Sequence, residues 1–222
     1  MTFLTDVWHW FGRSANWHGD DGIPHRLVEH LGYSGLALLL AALVALPLGL
    51  LIGHTGRGGL LVVNLANAAR ALPTVGVVIL VVTVVGIGIL PVLVALVALA
   101  VPPILVNTYQ GVRGVDADLK DAARGMGMTG WQVLVGVEIP SALPLVLLGL
   151  RTAAIQIVST ATIAAYVSLG GLGRFVFDGL AREDYSSVAG GAVLVAALAL
   201  LSEAVFVIVQ RAVVSPGIRQ RG

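Results

Sequence analysis

The chain has 222 residues, of which 57% are hydrophobic and only 11% charged, with a formal net charge of +1 and a mean hydropathy of +0.94. Soluble domains carry roughly 25% charged residues, so this composition excludes an ordinary soluble domain and a disordered chain, and points to several membrane spans. The absence of cysteine removes disulfides, thiolate metal sites and a cysteine nucleophile. The near-zero net charge gives no argument for nucleic acid.

Residues 1–30 lack the basic, apolar and small-residue regions of a signal peptide. They carry Trp8, Trp10, Phe11 and Trp17 among polar residues, which suits an extracytoplasmic segment lying along lipid headgroups; a poorly ordered polar leader is the other reading. A spanning helix needs roughly 20 apolar residues, so the gaps between charges locate the spans. His30 to Gly56 is a run of 27 residues without Asp, Glu, Lys or Arg, and holds a first span near 34–54. Ala71 to Val112 is uncharged over 42 residues, enough for two spans, near 66–86 and 89–108, turning at Gly86, Gly88 and Pro91. After a charged stretch, a fourth span fits near 143–165 and a fifth near 188–210. The membrane domain is thus expected over 31–213, with a tail at 214–222. Pro47, Pro73 and Pro91 are expected to kink or end spans.

Five spans put the termini on opposite sides. One side would hold Arg57, Arg70, Arg113, Lys120, Arg124, Arg211, Arg219 and Arg221, the other Arg13, Arg26, Arg174 and Arg182. The excess of positive residues on the first side makes it cytoplasmic, with the N-terminus outside, the C-terminus inside and a large cytoplasmic loop at 110–140.

That loop reads as two short helices. Leu119, Ala122, Ala123 and Met126 share one helical face, and Asp116–Lys120 and Asp121–Arg124 have the spacing of helical ion pairs. Gly125 and Gly127 end the first helix. Thr129 and Gln132 have the spacing of a capping box that starts the second, and Pro140 and Pro144 mark re-entry into the membrane. So short a helix is marginal alone in water and its apolar face needs a partner, either another protein or its own bundle.

The pattern Asp121-Ala122-Ala123, three residues, Gly127, nine residues, Val137-Glu138-Ile139-Pro140 resembles the EAA loop of bacterial ABC importer membrane subunits, with Asp121 where Glu is usual and Val137 and Ile139 as apolar exchanges. "LPLGLLIGHTGRGG", "PPILVNTYQGV", "DAARGMGMT" and "LRTAAIQIVSTATIAAYVSLGGLG" resemble permeases for glycine betaine, carnitine and choline. The resemblance implies an all-α polytopic membrane protein with the type I ABC importer (MetI-like) permease fold and about five transmembrane helices. It implies multi-pass insertion in a bacterial cytoplasmic membrane. The implied partners are ABC ATPase subunits, an extracytoplasmic substrate-binding protein and a second permease subunit, itself or a paralogue. It also implies that Asp121, Ala122, Ala123, Gly127, Val137, Ile139 and Pro140 couple the chain to the ATPase.

No catalytic, metal or cofactor site is expected in this chain. The single lysine, Lys120, follows Leu119 rather than the glycine of a Walker A loop, so ATP and Mg would be bound by the partner ATPase. Two decoys are set aside. Gly125-x-Gly127-x-x-Gly130 lacks the βαβ unit that a dinucleotide site needs. Ser34 in Gly32-Tyr33-Ser34-Gly35 has no base in reach, because His54 lies about 30 Å along the same helix and His30 is at the wrong end of the span.

The fourth span carries Thr152, Gln156, Ser159 or Thr160, Ile163 and Tyr166 at helical spacing. Of these, Gln156, Ser159, Thr160 and Tyr166 are candidates to line a translocation path, against the alternative of helix–helix glue. Arg151 and Glu203 are costly in a span and suit a structural pair. No aromatic cage for a quaternary ammonium is visible in the spans. Import of an amino acid such as proline or methionine, or ion-coupled secondary transport, are the alternative functions.

Overall fold

A computed structural model describes residues 2–71 and 73–214 of the chain. Arg219, Arg221 and most of the expected tail lie outside the described residues. The described residues form ten α-helices and no strand: α1 (Thr2–Gly12), α2 (Ile23–Thr55), α3 (Gly59–Arg70), α4 (Thr74–Val85), α5 (Ile89–Arg113), α6 (Ala117–Gly125), α7 (Gly130–Val133), α8 (Ile139–Thr160), α9 (Gly173–Ala181) and α10 (Tyr185–Val213). A 3₁₀ turn follows α1 at Ser14–Trp17, a π turn joins α7 to α8 at Leu134–Glu138, and a 3₁₀ segment at Ala161–Val167 extends α8.

Among the described residues, four helical stretches are long and apolar enough to cross a membrane: Ile23–Thr55, Ile89–Arg113, Gly130–Val167 and Tyr185–Val213. Each contains one of the stretches expected from the charge gaps, but runs beyond it. The first begins at Ile23, inside the segment expected to precede the spans, because Arg26 and Glu29 pair with each other at 2.8 Å on the helix surface and do not end it. The stretch expected near 66–86 is not one helix. It breaks between α3 and α4 at Pro73, which has no amide hydrogen to donate and disfavours helical geometry in the residue before it. At 1.5 Å per residue, the 12-residue α4 is about 18 Å long against a hydrocarbon core of about 30 Å. Pro47 lies within a continuous α2, and Pro91 sits in the first turn of α5, where a missing N–H costs nothing.

The chain forms two compact units. Among the described residues, 2–38, 73–97 and 154–202 make one, and 39–71, 98–153 and 203–214 the other. In the first, the buried residues include His30, Val78, Val92, Leu96, Ile157 and Leu172. The N-terminal segment is fastened to this unit by Trp10. Its ring stands edge-on to Phe175 of α9 at a centroid distance of 5.3 Å and lies against Gly190 of α10, where no Cβ would fit. Asn16 donates to the Trp10 carbonyl at 2.6 Å. Trp8 and Trp17 remain exposed. The far end of α8 is held in the same unit: His30 Nε2 donates to the Val158 carbonyl at 2.8 Å, and Gly171 N–H donates to Glu29 Oε2 at 2.8 Å.

In the second unit α2 and α5 meet closely. Gly49 and Gly53 of α2 admit Thr108 and Val112 of α5 so closely that a Cβ at either glycine would lie 2.7 Å from them. Small residues allow such backbone approach where no water drives helices together. Arg151 of α8 and Glu203 of α10 pair through two contacts, with Nε donating to Oε2 at 2.7 Å and Nη2 meeting Oε1. Pairing lowers the cost of placing two charges on spanning helices.

Replacing Gly190 with Leu is expected to expel Trp10 and free the N-terminal segment, read as faster limited proteolysis before residue 20 with the spans intact. Arg151→Met is expected to lower stability by about 2 kcal/mol, measured as a lower melting temperature in detergent, and the double variant Arg151→Met/Glu203→Gln to recover most of the loss.

Candidate functional site

The most unusual surface is made by α6 and α7. Asp116 starts α6 by accepting from the Asp118 amide at 3.0 Å. The helix ends in a Schellman arrangement: Met128 N–H donates to the Ala123 carbonyl at 3.2 Å and Gly127 N–H to the Arg124 carbonyl at 2.9 Å. That turn needs a left-handed residue, and Gly127 takes φ +86, a conformation that costs other residues about 1–2 kcal/mol. Gly125, the other glycine expected to end the helix, has no such constraint. α7 opens with the expected capping box, Thr129 N–H donating to Gln132 Oε1 at 2.7 Å and Gln132 N–H to Thr129 Oγ1 at 3.4 Å.

The helix thus has a fixed length and fixed ends, and its apolar side is largely uncovered. Leu119 is 48% exposed, Met126 77% and Trp131 71%, and Ala122 is exposed beside them. Of the expected four-residue face, only Ala123 turns inward. Asp121 is exposed and meets Arg124 at 3.4 Å, a solvated pair of small energetic weight. Val137 and Ile139 are half-buried and Pro140 is exposed in the first turn of α8. All seven residues of the motif therefore lie within one capped helix–turn–helix and the start of the span that follows.

One expected pair is not made. Asp116 is committed to its cap, and Lys120 turns away from it, donating to the Val112 carbonyl at 3.1 Å and meeting Glu138 Oε1 at 3.5 Å. Glu138 is 1% exposed, and its other oxygen accepts from His54 Nδ1 at 2.5 Å. A carboxylate only accepts, so Nδ1 carries the hydrogen. With Arg113, Asp121 and Arg124, these three line a cavity of about 410 Å³. The sequence reading missed this cluster, although its signal was present: a lone carboxylate in the apolar run "LVGVEIP" and a lone histidine at the end of a span each require a partner.

The second candidate face is divided. Gln156 is half-buried, and its Oε1 has no hydrogen-bond partner among the described residues. Ser159 is exposed, Thr160 half-buried and Tyr166 exposed, with the Tyr166 ring 6.0 Å from that of Phe177. Ile163, expected on the same face, is buried. The helix tightens to 3₁₀ geometry after Thr160, and three residues per turn rotate later side chains away from the α-helical stripe. Thr152 is taken up by the Leu148 carbonyl of its own helix at 2.9 Å.

Comparison with known proteins agrees with this geometry. The model of a family described as binding-protein-dependent transport system inner membrane component matches residues 45–220. The chain is 37% identical to the glycine betaine/carnitine/choline transport system permease protein OpuCB of Bacillus subtilis, over 86% of this chain and 88% of the relative. It is 34% identical to the choline transport system permease protein OpuBB of the same organism, over 88% and 90%. A chain of the inward-facing MetNI methionine ABC transporter has the same fold, with a TM-score of 0.72 at 23% identity over 84% of this chain and 94% of that one. Apolar helices long enough to span, the capped helix pair and the family match converge, and this multi-pass inner-membrane chain belongs to the family of binding-protein-dependent transport system inner membrane components.

Proposed function

We propose that the chain is the permease subunit of an ATP-driven importer for osmoprotectants such as glycine betaine, carnitine or choline. The observation that carries the ATP-driven reading is the exposure of the apolar side chains Leu119 and Ala122 on α6, Met126 at its end and Trp131 on α7, with both ends of α6 capped. A rigid short helix presenting an apolar face is suited to a groove on a partner, here an ABC ATPase subunit that binds ATP and Mg. Asp121, Ala122, Ala123, Gly127, Val137, Ile139 and Pro140 make up this coupling element. The solute class is supported by the names of the relatives.

In this reading the element is cytoplasmic, as is the C-terminus, in line with the distribution of positive residues; His54 near the end of α2 meets Glu138 beside the element, so α2 ends on the same side and the N-terminal segment lies outside. A substrate-binding protein delivers the solute, and a second permease subunit, this chain or a paralogue, completes the path. Gln156, Ser159, Thr160 and Tyr166 line that path. The unpartnered Oε1 of Gln156 is the strongest support for this assignment, since a buried acceptor without a donor is costly unless water or a passing solute supplies one.

The deciding experiment is uptake of labelled glycine betaine, carnitine, choline, proline and methionine by membranes carrying the complete complex, with and without ATP and with a protonophore. Uptake of the quaternary ammonium solutes that survives the protonophore and stops without ATP is expected. Uptake that follows the proton gradient would overturn the importer reading, and preference for proline or methionine would overturn the solute class alone. Gly127→Leu is expected to reduce uptake to background while the protein still accumulates in the membrane. Gln156→Leu, at normal expression, is expected to change the relative uptake of choline and glycine betaine, and an unchanged ratio would assign Gln156 to helix packing.

A further inference from the structure

Among the described residues of α6, Lys120 and Ala123 are the two that are not exposed. Ala123 is the single buried residue of the helix and contributes one methyl group. Lys120, with a side chain 13% exposed, reaches Glu138 and the Val112 carbonyl. Glu138 is the last residue of the π turn that leads into α8. Its carboxylate is shared between Lys120 at 3.5 Å and His54 near the end of α2 at 2.5 Å. One buried group at the entrance of α8 thus meets both α6 and the end of α2, the latter 84 positions away in the chain.

We infer that Glu138 is a positioning residue, which makes α6 and the two spanning helices move as one piece. The inference rests on the proposal that α6 docks onto an ATPase subunit. A carboxylate withdrawn from water is tolerated only while its partners stay in place. Moving α6 alone would strip Lys120 from Glu138 and leave that charge with His54 only. Displacing α8 with α6 preserves the contact, so a push on the exposed face of α6 is passed to α8 and α2. Ala123 alone offers no directional link, because its packing is a contact that can slide.

The test uses the whole complex, with its ATPase and binding protein, reconstituted in proteoliposomes with Lys120→Met, Glu138→Gln and the double variant. Three quantities are read: ATPase subunit retained per permease, ATP hydrolysed, and solute taken up per ATP. Retention of the ATPase is expected in all three variants. Uptake per ATP is expected to fall about tenfold in each single variant and no further in the double, as for two residues acting as a unit. A wild-type ratio in the single variants would overturn the inference, as would a double variant whose loss is the product of the two single losses. Loss of ATPase retention in step with uptake would also overturn it, by assigning the cluster to assembly. If Glu138→Gln does not accumulate, Lys120→Met alone decides, by the same ratio. A wild-type chain that retains no ATPase would instead refute the importer reading on which the inference stands.

Discussion

Within hydrocarbon, water is not available to backbone amides or to side-chain charges, and each must find its partner inside the protein. The rest of the structure follows from that constraint. Among the described residues the regular elements are accordingly all helices, with no strand. The constraint confines charges to few places in the spans and ties those that remain to one another, as with Arg151 and Glu203 or Glu138 between His54 and Lys120. It also leaves packing rather than water to hold helices together, which is why Gly49 and Gly53 bring α2 against α5 so closely.

The same constraint explains why the α6–α7 element stands out. Its hydrogen bonds are satisfied locally, by the Asp116 cap, the turn at Gly127 and the Thr129–Gln132 box, so its shape does not depend on what covers it. Its apolar side chains are nonetheless uncovered. A segment that is complete in its polar groups and incomplete in its apolar ones is built to be finished by another surface, and the likeness of the chain to permeases of binding-protein-dependent importers agrees with that.

Much of this was legible in the sequence because the signals are local. Gaps between charges placed the long helices, and residue spacing gave the glycine end of α6 and the capping box of α7, whereas Asp116 reads as a partner of Lys120 and proves to be the cap of α6. Pro47, Pro73 and Pro91 alike are expected to kink or end spans, yet the stretch around Pro73 reads as one span, because a gap between charges passes over a proline that the backbone cannot ignore. The stripe on α8 failed at Ile163 because the period was taken as constant, whereas the helix tightens after Thr160. The Glu138–His54 contact spans 84 positions in the chain, and no spacing rule reaches that far. Glu138 lies inside the recognised motif but at a position where the motif specifies nothing, so its importance became visible only through its burial.

The π turn at Leu134–Glu138 has a bearing on how this chain can change over evolutionary time. A π turn accommodates about one residue more than α geometry, which offsets the azimuth of everything after it by roughly 100°. The side of α8 that meets its neighbours is therefore set by five residues at its entrance. Loss of one residue there would let the helix relax into ordinary geometry and swing twenty later positions out of register together. This stretch joins α7 directly to α8 and behaves as a keyed joint that accepts substitution and refuses insertion or deletion.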